Sequence, residues 1–477
     1  MDKKRIALIG YSPGYFQSFA QALEHSGFEV YWVHSLSSAA KYQVRALSTP
    51  PARVLDTTEK FIPSLHAIEN CKQTLAALES AEGPKINDII LMDRILRRKA
   101  HVFALYYLHH LQRVLLKFFT ENSIKLVSSG RDTALQMMSM LVCRKEAIPW
   151  VVPARLRIPI EMYMFASGHQ TASIVNIRAV TNEDRAWAEE FIGSFKAKPS
   201  RPALKSAART FTDVLKMTPR HAKLFVSLLK SSTSDKGNDY SRYTILRILW
   251  MYLRRRLNMM CFKAFPPYSS VGERPFCLYA LQTQPESSID VVGSYFSDQI
   301  ALITFISRSL PVSHELYVKI HPTDVDGKSL WFYRRIAKLP GVRLLNYDVD
   351  ARDLMERSSI IFTLSGTIGY EAALIGKSVV TFARNYYNRM PTVHHCESPP
   401  RLPALVESLL NATPPDNLRE QIIDCLADLK AQSFHGEVNR MYLPEGKQLT
   451  REDLKSLQAA YDSLYSRLTS PAGWSRA

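Results

Sequence analysis

The chain lacks a cysteine framework: Cys71, Cys143, Cys261, Cys277, Cys396 and Cys425 are scattered through 477 residues with no C-x-x-C spacing. That pattern excludes a disulfide scaffold or a zinc knuckle as the basis of the fold and predicts reduced thiols. No apolar run approaches the roughly 20 residues needed to span a bilayer. The IALIG that follows the charged start is too short for the core of a secretion signal and reads as a first buried strand. There is no solenoid-type repeat and no recognisable nucleic-acid reader module. Metal chemistry has little footing as well. The DVD strings at Asp324–Asp326 and Asp348–Asp350 fall in loops, and the pair His394 and His395 is too isolated for a zinc site, so no essential metal and no other cofactor is predicted. What remains is a chain that is 46% hydrophobic, long enough for two globular domains, and expected in the cytoplasm.

Acidic residues are scarce in one place. Of the formal net charge of +17, most arises between Phe195 and Pro275, where 17 Lys and Arg face only Asp213, Asp235, Asp239 and Glu273. Within it, TILRILWMYLRRRLNMMCF, Thr244 to Phe262, sets Trp250, Tyr252 and Leu253 beside Arg254, Arg255 and Arg256. Such a helix suits an anionic membrane face, where each nearby cation contributes about 1 kcal/mol. An ordinary helical linker packing its apolar stripe on a domain would read the same way. Nucleic acid is not expected as a partner.

Two α/β blocks flank the basic segment. RIALIGYSPGYFQSFAQALEHSGFEVYWVH opens the first: a strand, a loop with Ser12, Pro13 and Gly14, a helix ending near Gly27 and a second strand through Val33. After a long, mostly helical stretch come a strand at Ile124–Ser129, a helix over Thr133–Glu146 and a short strand in PWVVP. In the second block, FCLYAL, ELYVKI, VRLLN, IIFTL and SVVTF are short apolar runs separated by helical patterns near Phe296–Leu310, Ser329–Leu339, Ala351–Arg357 and Ile368–Ile375. This alternation predicts a parallel sheet covered on both faces, with Gly341 and Gly376 at helix C-termini. The segment after Thr450 begins with a capping-box pair, Thr450 and Asp453, and places Leu454, Leu457, Tyr461, Leu464 and Leu468 on one face. The expected domains are 1–195 on the acceptor side, a basic helical linker over 196–275, a nucleotide-sugar domain over 276–449 and a closing helix over 450–477. Two doubly wound Rossmann-like domains facing a cleft make the GT-B layout, with ligands at the carboxyl ends of the strands.

Two devices suited to phosphate stand at strand ends of the second block. Lys319 and His321 close ELYVKIHPTD on one side of the strand, a cation and an imidazole donor, with Pro322 stopping the ladder. Ser365, Gly366, Thr367 and Gly369 form a small-residue turn into a helix whose first N–H groups and dipole favour an anion; the same groups serve an ordinary N-cap. QTQPE follows the block's first strand, and its Gln282, Gln284 and Glu286 can hydrogen-bond a sugar or base. In the first block, SSGRDT offers Arg131 and Asp132, and PARLRIPIEMYMF offers Arg155, Arg157 and Glu161. Sugar transfer needs a base for the acceptor hydroxyl, or a nucleophile if configuration is retained. Asp132 is the first candidate and Glu161 the second; Asp132 could equally be the N-cap of the following helix.

The strings YALQTQPESSIDVVGSYFSDQ, LYVKIHPTD, LPGVRLLN, DARDLMERS and TLSGTIGYEAALIGKSVVTFARNYY resemble the bacterial capsular polysaccharide biosynthesis family, over about Phe276–Tyr387. The resemblance implies a GT-B glycosyltransferase related to enzymes that transfer Kdo from CMP-Kdo. It assigns Lys319 and His321 to the donor phosphate, with His321 also in the catalytic set, and makes QTQPE a binding element. By likeness to GT-B enzymes, Glu371 contacts a ribose. The expected partners are a nucleotide-sugar donor, a lipid-linked glycan acceptor, the anionic inner face of the cytoplasmic membrane through 196–275, and other polysaccharide assembly proteins. A GT-B-type nucleotide-sugar epimerase, a CDP-glycerol glycerophosphotransferase and a non-catalytic assembly or export factor are the alternatives.

Overall fold

A computed structural model describes residues 3–11, 13–35, 50–58, 68–81, 83–159, 161–197, 245–263, 267–322, 324–438 and 449–469. The 198–244 part of the basic segment and Ser12 of the first loop lie outside them. The described residues fall into two compact units, 3–178 with 432–469, and 179–197 with 245–431. The unit boundaries thus fall at 178 and 431, where the sequence reading set them at 195 and 449.

The strands are β1 (Lys4–Ile9), β2 (Phe28–His34), β3 (Val54–Asp56), β4 (Leu126–Ser129), β5 (Trp150–Arg155), β6 (Met162–Ala166), β7 (Phe276–Ala280), β8 (Glu315–Lys319), β9 (Val342–Leu345), β10 (Ile360–Thr363), β11 (Ser378–Thr381), β12 (Val393–His395) and β13 (Ser433–His435). The helices of the first half are α1 (Pro13–His25), α2 (Ile68–Ala76), α3 (Ile86–Met92), α4 (His101–Glu121), α5 (Ala134–Lys145) and α6 (Asn182–Ala197). Those that follow are α7 (Ile245–Lys263), α8 (Ser287–Asp290), α9 (Gln299–Ser309), α10 (Leu330–Ala337), α11 (Ala351–Arg357), α12 (Thr367–Leu374), α13 (Leu402–Asn411), α14 (Leu418–Ala431) and α15 (Arg451–Leu468).

The first unit's sheet runs β13-β6-β5-β4-β1-β2-β3, parallel from β5 to β3 and antiparallel at β6 and β13. The second unit's sheet runs β12-β11-β10-β7-β8-β9 and is parallel throughout. Each therefore builds outward from its first strand, reverses, and continues on the other side, the doubly wound order 3-2-1-4-5-6. The expected α/β class with two doubly wound, Rossmann-like units is the one the chain adopts. The strands β3, β6, β12 and β13 go beyond those read from the sequence.

The caps explain where the helices begin. Asp298, Ser329 and Asp350 each accept from backbone N–H groups of the helices they precede, α9, α10 and α11. Thr450 and Asp453 form the expected capping box on α15, whose Leu457, Tyr461, Leu464 and Leu468 are buried in the first unit's core with Phe19 and Phe165. Gly376, at φ +79°, ends α12 in a Schellman turn, its N–H bonded to Ala373 and that of Lys377 to Ala372. Gly341 (φ +68°) differs from expectation: α10 is capped by Lys338, so this glycine turns the chain into β9 instead.

Candidate functional site in the second unit

The order of winding reverses between β7 and β10, so the loops after these strands open a crevice at the carboxyl edge of the sheet, where doubly wound units bind ligands. QTQPE is the loop after β7, Lys319 and His321 end the neighbouring β8, and Ser365–Gly369 is the turn from β10 into α12. The sheet thus brings the donor-side residues read from the sequence to one edge.

The local hydrogen bonds divide these residues by task. Gln282 is buried, and its backbone is held by the Gln299 amide, which accepts from Gln282 N at 2.9 Å and donates to its carbonyl at 3.0 Å. With its side-chain carbonyl turned toward the β10–α12 turn, Gln282 accepts from the N–H groups of Leu364 (3.2 Å), Ser365 (3.1 Å) and Gly366 (3.0 Å) and from the Thr363 hydroxyl (2.9 Å). In the opposite orientation its NH2 would donate only to the Thr363 hydroxyl and would face three N–H groups. The Ser365 hydroxyl donates to Ser288 O at 2.9 Å. A side chain at Gly369 would meet Thr363 Cγ2 at 2.7 Å and the Tyr387 hydroxyl at 3.2 Å, and one at Gly366 the Thr363 hydroxyl at 2.8 Å. Ser365, Gly366 and Gly369 therefore build the turn, and its N–H groups up to Gly366 are occupied by a glutamine oxygen. An anion at this end has the first-turn N–H groups of Thr367 and Ile368 and the half-buried Thr367 hydroxyl. Glu371 is half-buried and, with the helix starting at Thr367, opens its second turn.

Gln284 is likewise occupied: its NH2 donates to Asp290 Oδ1 (3.3 Å) and Ser297 O (3.2 Å), and its carbonyl accepts from Lys328 at 3.2 Å. Glu286 flanks α8 half-buried and makes no cap bond. Lys319 is buried, and its Nζ donates to Tyr347 O at 2.7 Å, tying the end of β8 to the loop after β9. Burial pulls its pKa down to about 8 against the pull of Asp348 and Asp350. His321 sits half-buried with Nδ1 3.2 Å from the Thr283 hydroxyl. Desolvation, and then the Lys319 charge, hold its pKa below the ordinary value, so the ring is neutral at pH 7. When Thr283 donates to Nδ1, the ring proton is on Nε2, and the imidazole is a donor there.

Sequence reading passed over Thr283 and Lys328 and weighed Asp324 only as a metal ligand. Asp324 is buried and accepts from Gln284 N at 3.3 Å, with Lys328 Nζ 3.8 Å away; burial pushes its pKa up to about 6, opposed by Lys328. A Cβ on Gly327 would overlap its carboxylate. The only signal was the density of polar residues in HPTDVDGK, which a surface loop shares. In the two DVD strings, Asp326 pairs with Arg255 at 3.0 Å and Asp350 caps α11.

In the first unit, Asp132 follows β4 with its side chain 52% exposed, 3.5 Å from Arg94. It is not an N-cap: Thr133 takes that position, reciprocally paired with Gln136, whose side-chain oxygen accepts from Asp132 N at 2.6 Å. Arg131 is half-buried beside it. PARLRIPIEMYMF is the β5–β6 hairpin, with Glu161 exposed at its turn and Arg157 half-buried. Arg155 pairs with Glu437 at 2.9 Å, both side chains largely buried, so its charge is used within the protein. Missed here was His34, buried at the end of β2, its Nε2 without a hydrogen-bond partner among the described residues and its pKa pulled to about 4 by desolvation.

The family model described as capsule polysaccharide biosynthesis protein matches residues 233–392, which contain this whole crevice. No curated protein matches the sequence. Among solved structures, the chain is similar to the beta Kdo 2,4 transferase KpsC of Thermosulfurimonas dismutans at 16% identity and a TM-score of 0.31, over 70% of this chain and 87% of that one. The beta Kdo 2,7 transferase KpsC of the same organism gives 10% and 0.32, over 73% and 90%. A putative UDP-N-acetylglucosamine 2-epimerase of Listeria monocytogenes gives 11% and 0.26, over 90% and 94%. Among the described residues, no helix is long and apolar enough to cross a membrane. The match to the capsule polysaccharide biosynthesis model thus falls on residues 233–392, about a third of the chain, where His321 and the β10–α12 turn lie.

Proposed function

We propose that the chain is a nucleotide-sugar-dependent glycosyltransferase of capsule synthesis, moving Kdo from CMP-Kdo to a lipid-linked glycan at the cytoplasmic membrane face. The observation that carries this reading is the contact between His321 and Thr283, on the β7 loop whose Gln282 also holds the turn into α12, inside the family-matched segment. A donor phosphate there is met by a neutral imidazole N–H, by Lys319 and by the open N–H groups of Thr367 and Ile368. As the anomeric C–O bond breaks, these groups take up the charge growing on the phosphate oxygen, and CMP leaves with the bonding electrons. They do so in this proposal without an essential metal. Glu286 is the carboxylate assigned to the sugar or base and Glu371 that assigned to the ribose. Asp132, before Glu161, is the carboxylate that receives the acceptor proton, or the sugar itself if configuration is retained.

Thermal denaturation with CMP, CDP, UDP and GDP, followed by a transfer assay with CMP-Kdo and a lipid-linked acceptor, tests the reading. CMP is expected to stabilise most, by about 2.7 kcal/mol at a hundredfold excess over its Kd. Conversion of a free nucleotide-sugar without acceptor would make the protein an epimerase, and CDP-glycerol turnover a glycerophosphotransferase. Binding of none of these nucleotides would remove the catalytic reading.

Lys319 adds a pH dependence. Its amine is charged below about 8 and neutral above, and a phosphate favours the charged form. CMP affinity is therefore expected to fall as pH rises through this value, by about tenfold between about pH 7 and 9, and to flatten in Lys319→Met. Equal affinity across that range in the parent protein would show that Lys319 serves only Tyr347.

A further inference from the structure

Helix α7 has two faces with opposite fates. On one, Asn258 donates to Asp326 O at 3.1 Å, Arg255 pairs with the Asp326 carboxylate, and Phe262 enters the second unit's core with its ring 5.2 Å from that of Tyr333. Opposite it, at helical spacings of three, four and three, stand Trp250, Leu253, Leu257 and Met260, 59, 51, 48 and 49% exposed. At about 100° per residue these four fall within one third of the helix circumference. Arg254 borders the stripe and is exposed.

We propose that this outer stripe of α7 is a membrane seat that lies in the headgroup region of an anionic bilayer. Four large apolar side chains left about half in water on an anchored helix are unfavourable, and burying them at a bilayer surface recovers that cost. Charge decides the occupant. The helix sits in the segment holding 17 Lys and Arg against four acidic residues, which suits anionic lipid and repels a second copy of itself. The stripe also covers only about one and a half heptads, short of the three or four that a helical partner requires. Asp326 and Tyr333, gripped by the inner face, belong to the segment that follows His321, so the seat adjoins the loop leaving the donor strand. Its use for a lipid-linked acceptor rests on the proposed glycosyltransfer; its existence does not.

Flotation of the full chain with phosphatidylcholine vesicles, with and without about a third phosphatidylglycerol, tests it without reference to transfer. The protein is expected to float with the anionic vesicles only. Trp emission should shift to the blue on their addition, and this shift should vanish in Trp250→Phe. The double variant Leu253→Glu with Leu257→Glu should lose about tenfold or more of the bound fraction while keeping its melting temperature, because both side chains are exposed. Failure of the parent to float, equal flotation on neutral vesicles, or flotation of the double variant like the parent would each overturn the proposal. Dimers that the double variant abolishes, with no vesicle binding, would overturn it in favour of a second copy.

Discussion

His321→Ala is expected to lower transfer from CMP-Kdo by about 10²–10³-fold, the effect of removing one donor aimed at developing negative charge in a dry site. Its melting temperature should stay near that of the parent, because the ring is half-buried at a loop outside the strands and helices, 3.2 Å from the Thr283 hydroxyl. CMP stabilisation should fall as well, since the same N–H meets the phosphate in the ground state. Thr283→Val provides a graded comparison. It keeps the shape and loses the hydroxyl that sets the tautomer, so it should cost less than His321→Ala and act in the same direction. Turnover of His321→Ala within about twofold of the parent would remove His321 from the site. Loss of transfer with a collapsed melting temperature would instead assign it to the fold.

The second unit was legible because a parallel sheet buried on both faces makes each strand a short continuous apolar run, and β7 to β11 are written that way. Caps such as Ser329, Asp350 and Thr450 sit beside the helices they start, so they too can be read locally. β12 was missed because its VHH carries two histidines, and β6 because Met162–Ala166 is the return arm of a hairpin that lacks an Asn-Gly or Asp-Gly turn signal. The site was legible in position and less so in detail. The sequence places Lys319, His321 and the β10–α12 turn at strand ends, but which polar atoms remain for a ligand depends on partners far along the chain. Lys319 is claimed by a carbonyl 28 residues away, and the Thr363 hydroxyl donates to the Gln282 oxygen 81 residues before it. Thr133 likewise displaced Asp132 as the cap, because the choice between adjacent residues is made by Gln136 folding back over the turn.

Gln282→Leu should have the largest effect on stability. Leucine nearly matches the volume of glutamine but presents carbon to the N–H groups of Leu364 and Ser365, which the amide oxygen now holds, while the Gly366 N–H keeps the Thr363 hydroxyl oxygen at 3.0 Å. Each buried donor stranded in this way costs about 1–3 kcal/mol. Partial relaxation toward water leaves an expected loss of about 3–5 kcal/mol, a large share of the 5–15 kcal/mol typical of a domain. Urea or thermal unfolding reads it directly. Gln282→Glu should behave very differently, because a carboxylate oxygen in the same position accepts from the same three N–H groups, which also favour its charged form. It is expected to recover most of the stability. A leucine variant as stable as the parent would mean that these N–H groups are not held by Gln282. They would then be open to a ligand, and the whole Ser365–Gly369 turn would return as the phosphate site that its small residues first suggested.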